Sequence, residues 1–135
     1  MNDTDLSVGH VGAVIVARLR GIPTAEVLLE CEQQIAALSR ETRHASVLYD
    51  ALELMAPDTS LVLLQQRLGA VRSETLGTRS LRTAILVANT RIAYLARIAI
   101  GHAGETSYRV FYGDMGAALR WLEAPPAMDP GAAES

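Results

Sequence analysis

Lysine is absent from the chain: all twelve basic residues among its 135 are arginine. That absence excludes Schiff-base chemistry, a P-loop lysine and a receiver-type aspartate and lysine pair. Cysteine occurs once, at Cys31. There is therefore no disulfide framework and no zinc-ligand spacing, and a reducing, cytoplasmic setting is expected. Aromatic residues are few, with one Phe, one Trp and four Tyr, so the chain lacks the interleaved rings on which bases stack. The arginines are scattered and the formal net charge is −3, which leaves no electrostatic footprint for nucleic acid. No apolar run reaches the roughly 18 residues of a membrane span, and Met1 to Gly9 is polar and acidic, unlike a signal peptide. His10, His44 and His102 stand at no metal-like spacing and are expected to be solvated; no metal or cofactor is anticipated.

What the chain does have is aliphatic bulk. Half of its residues are hydrophobic, mostly Ala, Leu, Val and Ile, enough for one domain with a real core. Residues 11–124 are read as that domain, 1–10 as a flexible N-terminus or edge strand, and 125–135, rich in Pro, Ala, Gly and Glu, as a disordered tail. Val11 to Leu19 alternates like a strand, and Leu6 to Val8 can add a short edge strand before a turn over Gly9 to Gly12. Gly21-Ile22-Pro23 breaks the strand, and Thr24 caps a helix to about Arg40. In that helix Leu28, Cys31, Ile35 and Leu38 share the apolar face, while Glu30, Glu32, Gln33 and Gln34 are expected to face water. This makes Cys31 a buried packing residue.

Ala45 to Asp50 reads as a second parallel strand ending on an acid. Pro57-Asp58-Thr59-Ser60 starts a helix whose stripe is Leu61, Leu64, Leu68 and Val71, and Gly77 and Ser80 punctuate its exit. Thr83 to Ala88 is a continuous apolar run that suits a central strand, followed by a helix capped by Asn89 or Thr90, running to about Ile100 and closed by Gly101 and Gly104. Tyr108 to Tyr112 is the last strand, Gly113-Asp114 is the turn and cap, and Met115, Ala118, Leu119 and Leu122 are the core face of the last helix. Strands separated by helices imply right-handed βαβ crossovers. The expected fold is therefore α/β, a βαβαβαβα order with a four- or five-stranded, mostly parallel sheet, helices packed on it and an antiparallel N-terminal hairpin at its edge.

The order of these pieces resembles the STAS domains, which include the anti-sigma factor antagonists, and more closely the SpoIIAA-like group of small bacterial proteins. The resemblance runs from Val14 to Leu122 through Val14-Ile15-Val16-Ala17-Arg18-Leu19-Arg20-Gly21, Val47-Leu48-Tyr49-Asp50, Ile85-Leu86-Val87-Ala88-Asn89 and Tyr108-Arg109-Val110-Phe111-Tyr112-Gly113-Asp114. It implies a non-enzymatic regulatory module that binds a protein partner. It also aligns Ser60, after Asp50, Asp58 and Thr59, with the serine that the family phosphorylates, with Leu61 where the family has glycine. Ser60 and Thr59 are thus candidate phosphorylation sites, weighed against simple helix capping. No residue pair here has the spacing of a recognised nucleophile and base.

Ligands of open α/β sheets bind beyond the carboxyl ends of the strands. That rule collects Gly21, Asp50, Asp58, Asn89, Arg91 and Asp114 as a candidate ligand or partner rim, with Asp50 and Arg91 as an acid and a cation for a small polar ligand. Tyr94, Ile98 and Ile100 leave the third helix apolar around most of its girth, a candidate interface for a homodimer or another protein, with core packing in a tight small domain as the competing account. The alternative reading is a small-molecule or lipid-binding domain with a pocket between the sheet and the helices near Tyr94 to Ile100.

Overall fold

The computed structural model describes residues 4–42, 46–76, 82–101 and 107–123. Strands β1 (Thr4–Val11) and β2 (Val14–Gly21) form an antiparallel hairpin, closed at Gly12-Ala13 with Val11 opposite Val14. Gly12 has φ +57°, the left-handed conformation that such short hairpin connections use and that glycine adopts without penalty. The turn therefore sits later than the expected Gly9 to Gly12. Gly9 instead pairs with Val16 inside the ladder, and Ala13 is exposed.

From β2 onward each strand is followed by a helix: α1 (Ala25–Thr42), β3 (Ser46–Leu54), α2 (Thr59–Leu76), β4 (Arg82–Val87), α3 (Thr90–Gly101), β5 (Ser107–Tyr112) and α4 (Met115–Glu123). The five-stranded sheet has the order β1-β2-β3-β4-β5, with all pairs after the first parallel. Because every crossover steps one strand in the same direction, right-handed connections carry α1, α2 and α3 to one face. They pack side by side there, and among the described residues α4 is the helix that covers the other face. Alternation along the strands divides the core accordingly. Ile15, Ala17, Val47, Tyr49, Ile85 and Val87 meet the three helices, while Val14, Leu48, Ala84 and Leu86 meet Ala118 and Leu122 of α4. Strand β4 is buried along its whole length, as its unbroken apolar run predicts for a strand covered on both faces.

Strand β3 runs four residues past Asp50, to Leu54, and is longer than its apolar run suggests. Its register with β2 shifts between Arg18, opposite Asp50, and Arg20, opposite Glu53. One extra residue on β3 makes this a β-bulge. Beyond it Leu54 packs against the three-helix core, whereas Glu53 pairs with Arg20 across 3.4 Å. Unbroken alternation would have turned Glu53 toward the helices.

Helix α2 lies between α1 and α3. Among its residues whose burial is described, Val62 and Gly69 are buried, with Gln65 and Gln66 partly buried between them, an i, i+3, i+4, i+7 face. The expected stripe lies one residue away: Leu61, Leu64 and Leu68 are only half-buried flanks, and Val71 is exposed. The glutamines explain the offset. Gln65 donates to Glu32 of α1 at 2.8 Å and Gln66 to the carbonyl of Ile98 of α3 at 3.1 Å, so polar side chains occupy the inward face through specific partners. The expected loops at Gly77 to Ser80 and Gly104 and the expected tail at 125–135 lie outside the described residues.

Candidate functional site

Each helix begins where a parallel strand ends, so all four helix N-termini gather along the carboxyl edge of the sheet. Each is capped by a side chain. Thr24 Oγ1 accepts from Val27 N–H at 3.2 Å, Asp58 Oδ1 from Leu61 N–H at 3.0 Å, Asn89 Oδ1 from Ile92 N–H at 3.0 Å, and Asp114 Oδ1 from Ala117 N–H at 2.9 Å. These bonds answer the free amide groups of each first turn. The α3 cap has an exposed hydroxyl beside it, Thr90 after Asn89. At the α2 cap Asp58, Thr59 and Ser60 are all exposed, and Ser60 Oγ donates to Asp58 Oδ1 at 2.6 Å. That bond, followed by the Leu61 amide, holds the Asp58 carboxyl below the usual aspartate range.

Asp58, Asn89 and Asp114 thus share this rim, and Arg91 is exposed on the first turn of α3. Asp50 is elsewhere. It lies inside β3 on the α4 side of the sheet, buried, with Oδ2 accepting from Arg18 Nε at 2.9 Å and Oδ1 from the Leu52 amide at 3.2 Å. The bulge leaves an amide of β3 without a ladder partner, and the Asp50 carboxylate supplies one. The cation beside Asp50 is Arg18.

Of the three residues read as an apolar helix face, Tyr94 is 64% exposed, Ile98 is half-buried against the core, and Ile100 is buried within it. Cys31 is buried, on the stripe that predicted it. His10 is exposed, with Nδ1 3.3 Å from the Gly12 carbonyl; His44 and His102 lie outside the described residues.

A cavity of about 90 Å³ lies between the sheet and the three helices, directly under the first turn of α2. Leu19, Ala51, Leu54 and Ile85 line it from the sheet, Leu28 from α1, Pro57, Leu61 and Val62 from the start of α2, and Ile92, Leu95, Ala96, Ala99 and Ile100 from α3. The lining side chains that carry polar atoms are Tyr49 and Gln65. Both bind one carboxyl oxygen of Glu32, Tyr49 Oη at 2.5 Å and Gln65 Nε2 at 2.8 Å. Glu32 is 4% exposed. Its expected place in water is thus corrected: a buried carboxyl is tolerated when donors satisfy it, and here a tyrosine and a glutamine do so. A signal existed, since Glu32 falls between Leu28 and Ile35 at i+4 and i+7, inside the apolar stripe. What a one-residue view of polarity misses is a partner 17 residues away in sequence and another 33 away.

Comparison with solved structures identifies the fold. An anti-sigma factor antagonist from Mycobacterium paratuberculosis superposes with a TM-score of 0.62 at 14% identity, covering 90% of this chain and 95% of that chain. An uncharacterized protein with a SpoIIAA-like fold from Shewanella loihica gives 0.59 at 19% identity, over 90% and 95%. The anti-sigma factor antagonist SpoIIAA in its unphosphorylated form gives 0.57 at 15% identity, over 87% and 96%. The chain has the SpoIIAA-like, STAS-type fold, as the order of its motifs predicts. No protein-family model and no curated protein matches its sequence.

Proposed function

We propose that this chain is a non-enzymatic, cytoplasmic regulatory module that docks a protein partner on the rim around the start of α2, with Ser60 as the residue whose modification controls docking and Thr59 as its neighbouring alternative. The observation that carries the reading is the exposed Asp58-Thr59-Ser60 turn, on a fold shared with two anti-sigma factor antagonists, one of them described in an unphosphorylated form. The physics of such a switch is local. A phosphate on Ser60 would replace the hydrogen bond to Asp58 with about −1.5 to −2 units of charge. The amide groups and dipole at the helix start favour an anion there, while a partner fitted to a neutral hydroxyl would meet repulsion and a desolvation cost.

Native mass spectrometry of the protein purified from its own host tests this, because one spectrum reports covalent phosphate, self-association and bound partner. The expected result is a phosphate mapped to Ser60 or Thr59 and a partner complex that Ser60→Ala keeps and Ser60→Asp loses. Equal partner binding by both variants, or a specific turnover, would overturn the reading.

A further inference from the structure

The cavity borders the Ser60 turn but is not needed for docking there. We infer that it is a ligand site for the aliphatic tail of a small amphiphile. Its volume of about 90 Å³ is several times the roughly 10–15 Å³ one water requires, and is on the scale of an engineered apolar cavity of about 150 Å³ that stays dry and takes benzene. A water held inside needs two to four polar partners, and the polar lining groups, Tyr49 and Gln65, both bind Glu32. Such a space is poorly matched to water and well matched to methylene groups.

The tail enters rather than the head. An anionic head would have to shed its water beside a carboxyl group that already accepts two hydrogen bonds. The half-buried lining residues Leu54, Pro57 and Leu61 lie at the rim, where a head group stays in solvent. The β3 bulge contributes directly: it gives the wall Leu54, where regular alternation would have presented Glu53.

The test is titration of the full chain with the n-alkanols from butanol to nonanol, followed by methyl NMR and calorimetry. Saturable shifts are expected at Leu54, Ile85 and Ile92, with affinity rising about fourfold per added methylene and levelling off once the chain outgrows the walls. Ala96→Phe, which fills the cavity, should lose the shifts with the circular dichroism spectrum unchanged. If that variant does not fold, the location and chain-length profile of the wild-type shifts still decide. Absence of shifts at the cavity methyls, affinity that climbs without levelling, or undiminished binding by folded Ala96→Phe would overturn the proposal. So would two other occupants: sedimentation with phosphatidylcholine vesicles without alkanol binding, or loss of a protein partner from Ala96→Phe when alkanols do not bind. Ser60→Asp should bind alkanols like the wild type, so failure of the Ser60 switch and failure of this site are separate results.

Discussion

The Ser60 hydroxyl and the Asp58 carboxyl are joined by a bond of 2.6 Å at an exposed position. Because that bond is the leading cause of the lowered Asp58 pKa, Ser60→Ala should move the carboxyl up toward the ordinary aspartate range, read by NMR titration of its carboxyl carbon; an unchanged titration would refute the coupling. The sign for stability follows. A depressed carboxylate pKa contributes stability above the unfolded-state value that is lost as pH falls through the folded one, so the variant should lose part of this acid sensitivity. Two buried hydroxyls make an opposed pair of predictions. Tyr49→Phe takes a donor from buried Glu32 and should destabilise by about 1–3 kcal/mol in urea unfolding. Thr83 Oγ1 is buried with no hydrogen-bond partner, so Thr83→Val, which keeps the shape and removes the unsatisfied group, should be neutral or stabilising by up to about 2 kcal/mol. A loss comparable to that of Tyr49→Phe would show that the hydroxyl has a partner after all.

At the level of elements, helix starts were the most legible feature. Thr24, Asn89 and Asp114 cap where the sequence indicates, because a cap is a local interaction between a short polar side chain and amides two or three residues on. The Pro57 to Ser60 start of α2 was equally plain, but which face of that helix turns inward was not, since Gln65 and Gln66 are drawn in by groups on α1 and α3. The end of β3 was hidden for a related reason: the bulge interrupts the alternation by which strands are read. Helix α2 also carries a removable weakness. Gly69 lies in its interior, and a Cβ built there meets nothing within 4 Å. Gly69→Ala should therefore stabilise the protein by about 0.5–1 kcal/mol, the helix-propensity difference alone. A loss of stability in thermal or urea unfolding would mean that α1 or α3 approaches more closely than this.

For the molecule as a whole, the alternation of strands and helices gave the parallel sheet and its antiparallel edge, and the cavity lies where the alternative reading expected a pocket, between the sheet and the helices near Tyr94 to Ile100. Its walls and size were not legible, because they depend on how three helices sit on one face. The same topology makes the opposite face depend on nine residues of α4. Leu122 is buried there against Val14, Leu48, Ala84 and Leu86, while the Trp121 ring lies tilted at 54° to that of Phe111 with centroids 6.0 Å apart, and the Trp121 carbonyl accepts from Arg82 Nη1 at 2.6 Å. Truncating Leu122 to Ala should cost about 2–5 kcal/mol. How that loss appears depends on whether the two cores are one cooperative unit. Strands β3 and β4 send alternate residues to both cores, Val47 and Tyr49 to one and Leu48 to the other, Ile85 and Val87 to one and Ala84 and Leu86 to the other. Releasing α4 would expose half of the side chains of the strands on which α1 to α3 rest. Urea unfolding of Leu122→Ala should therefore remain a single transition, with fluorescence of Trp121, the one tryptophan, and far-UV circular dichroism sharing a midpoint. A fluorescence midpoint that precedes the dichroism would mean that α4 detaches from a sheet still held by its other three helices.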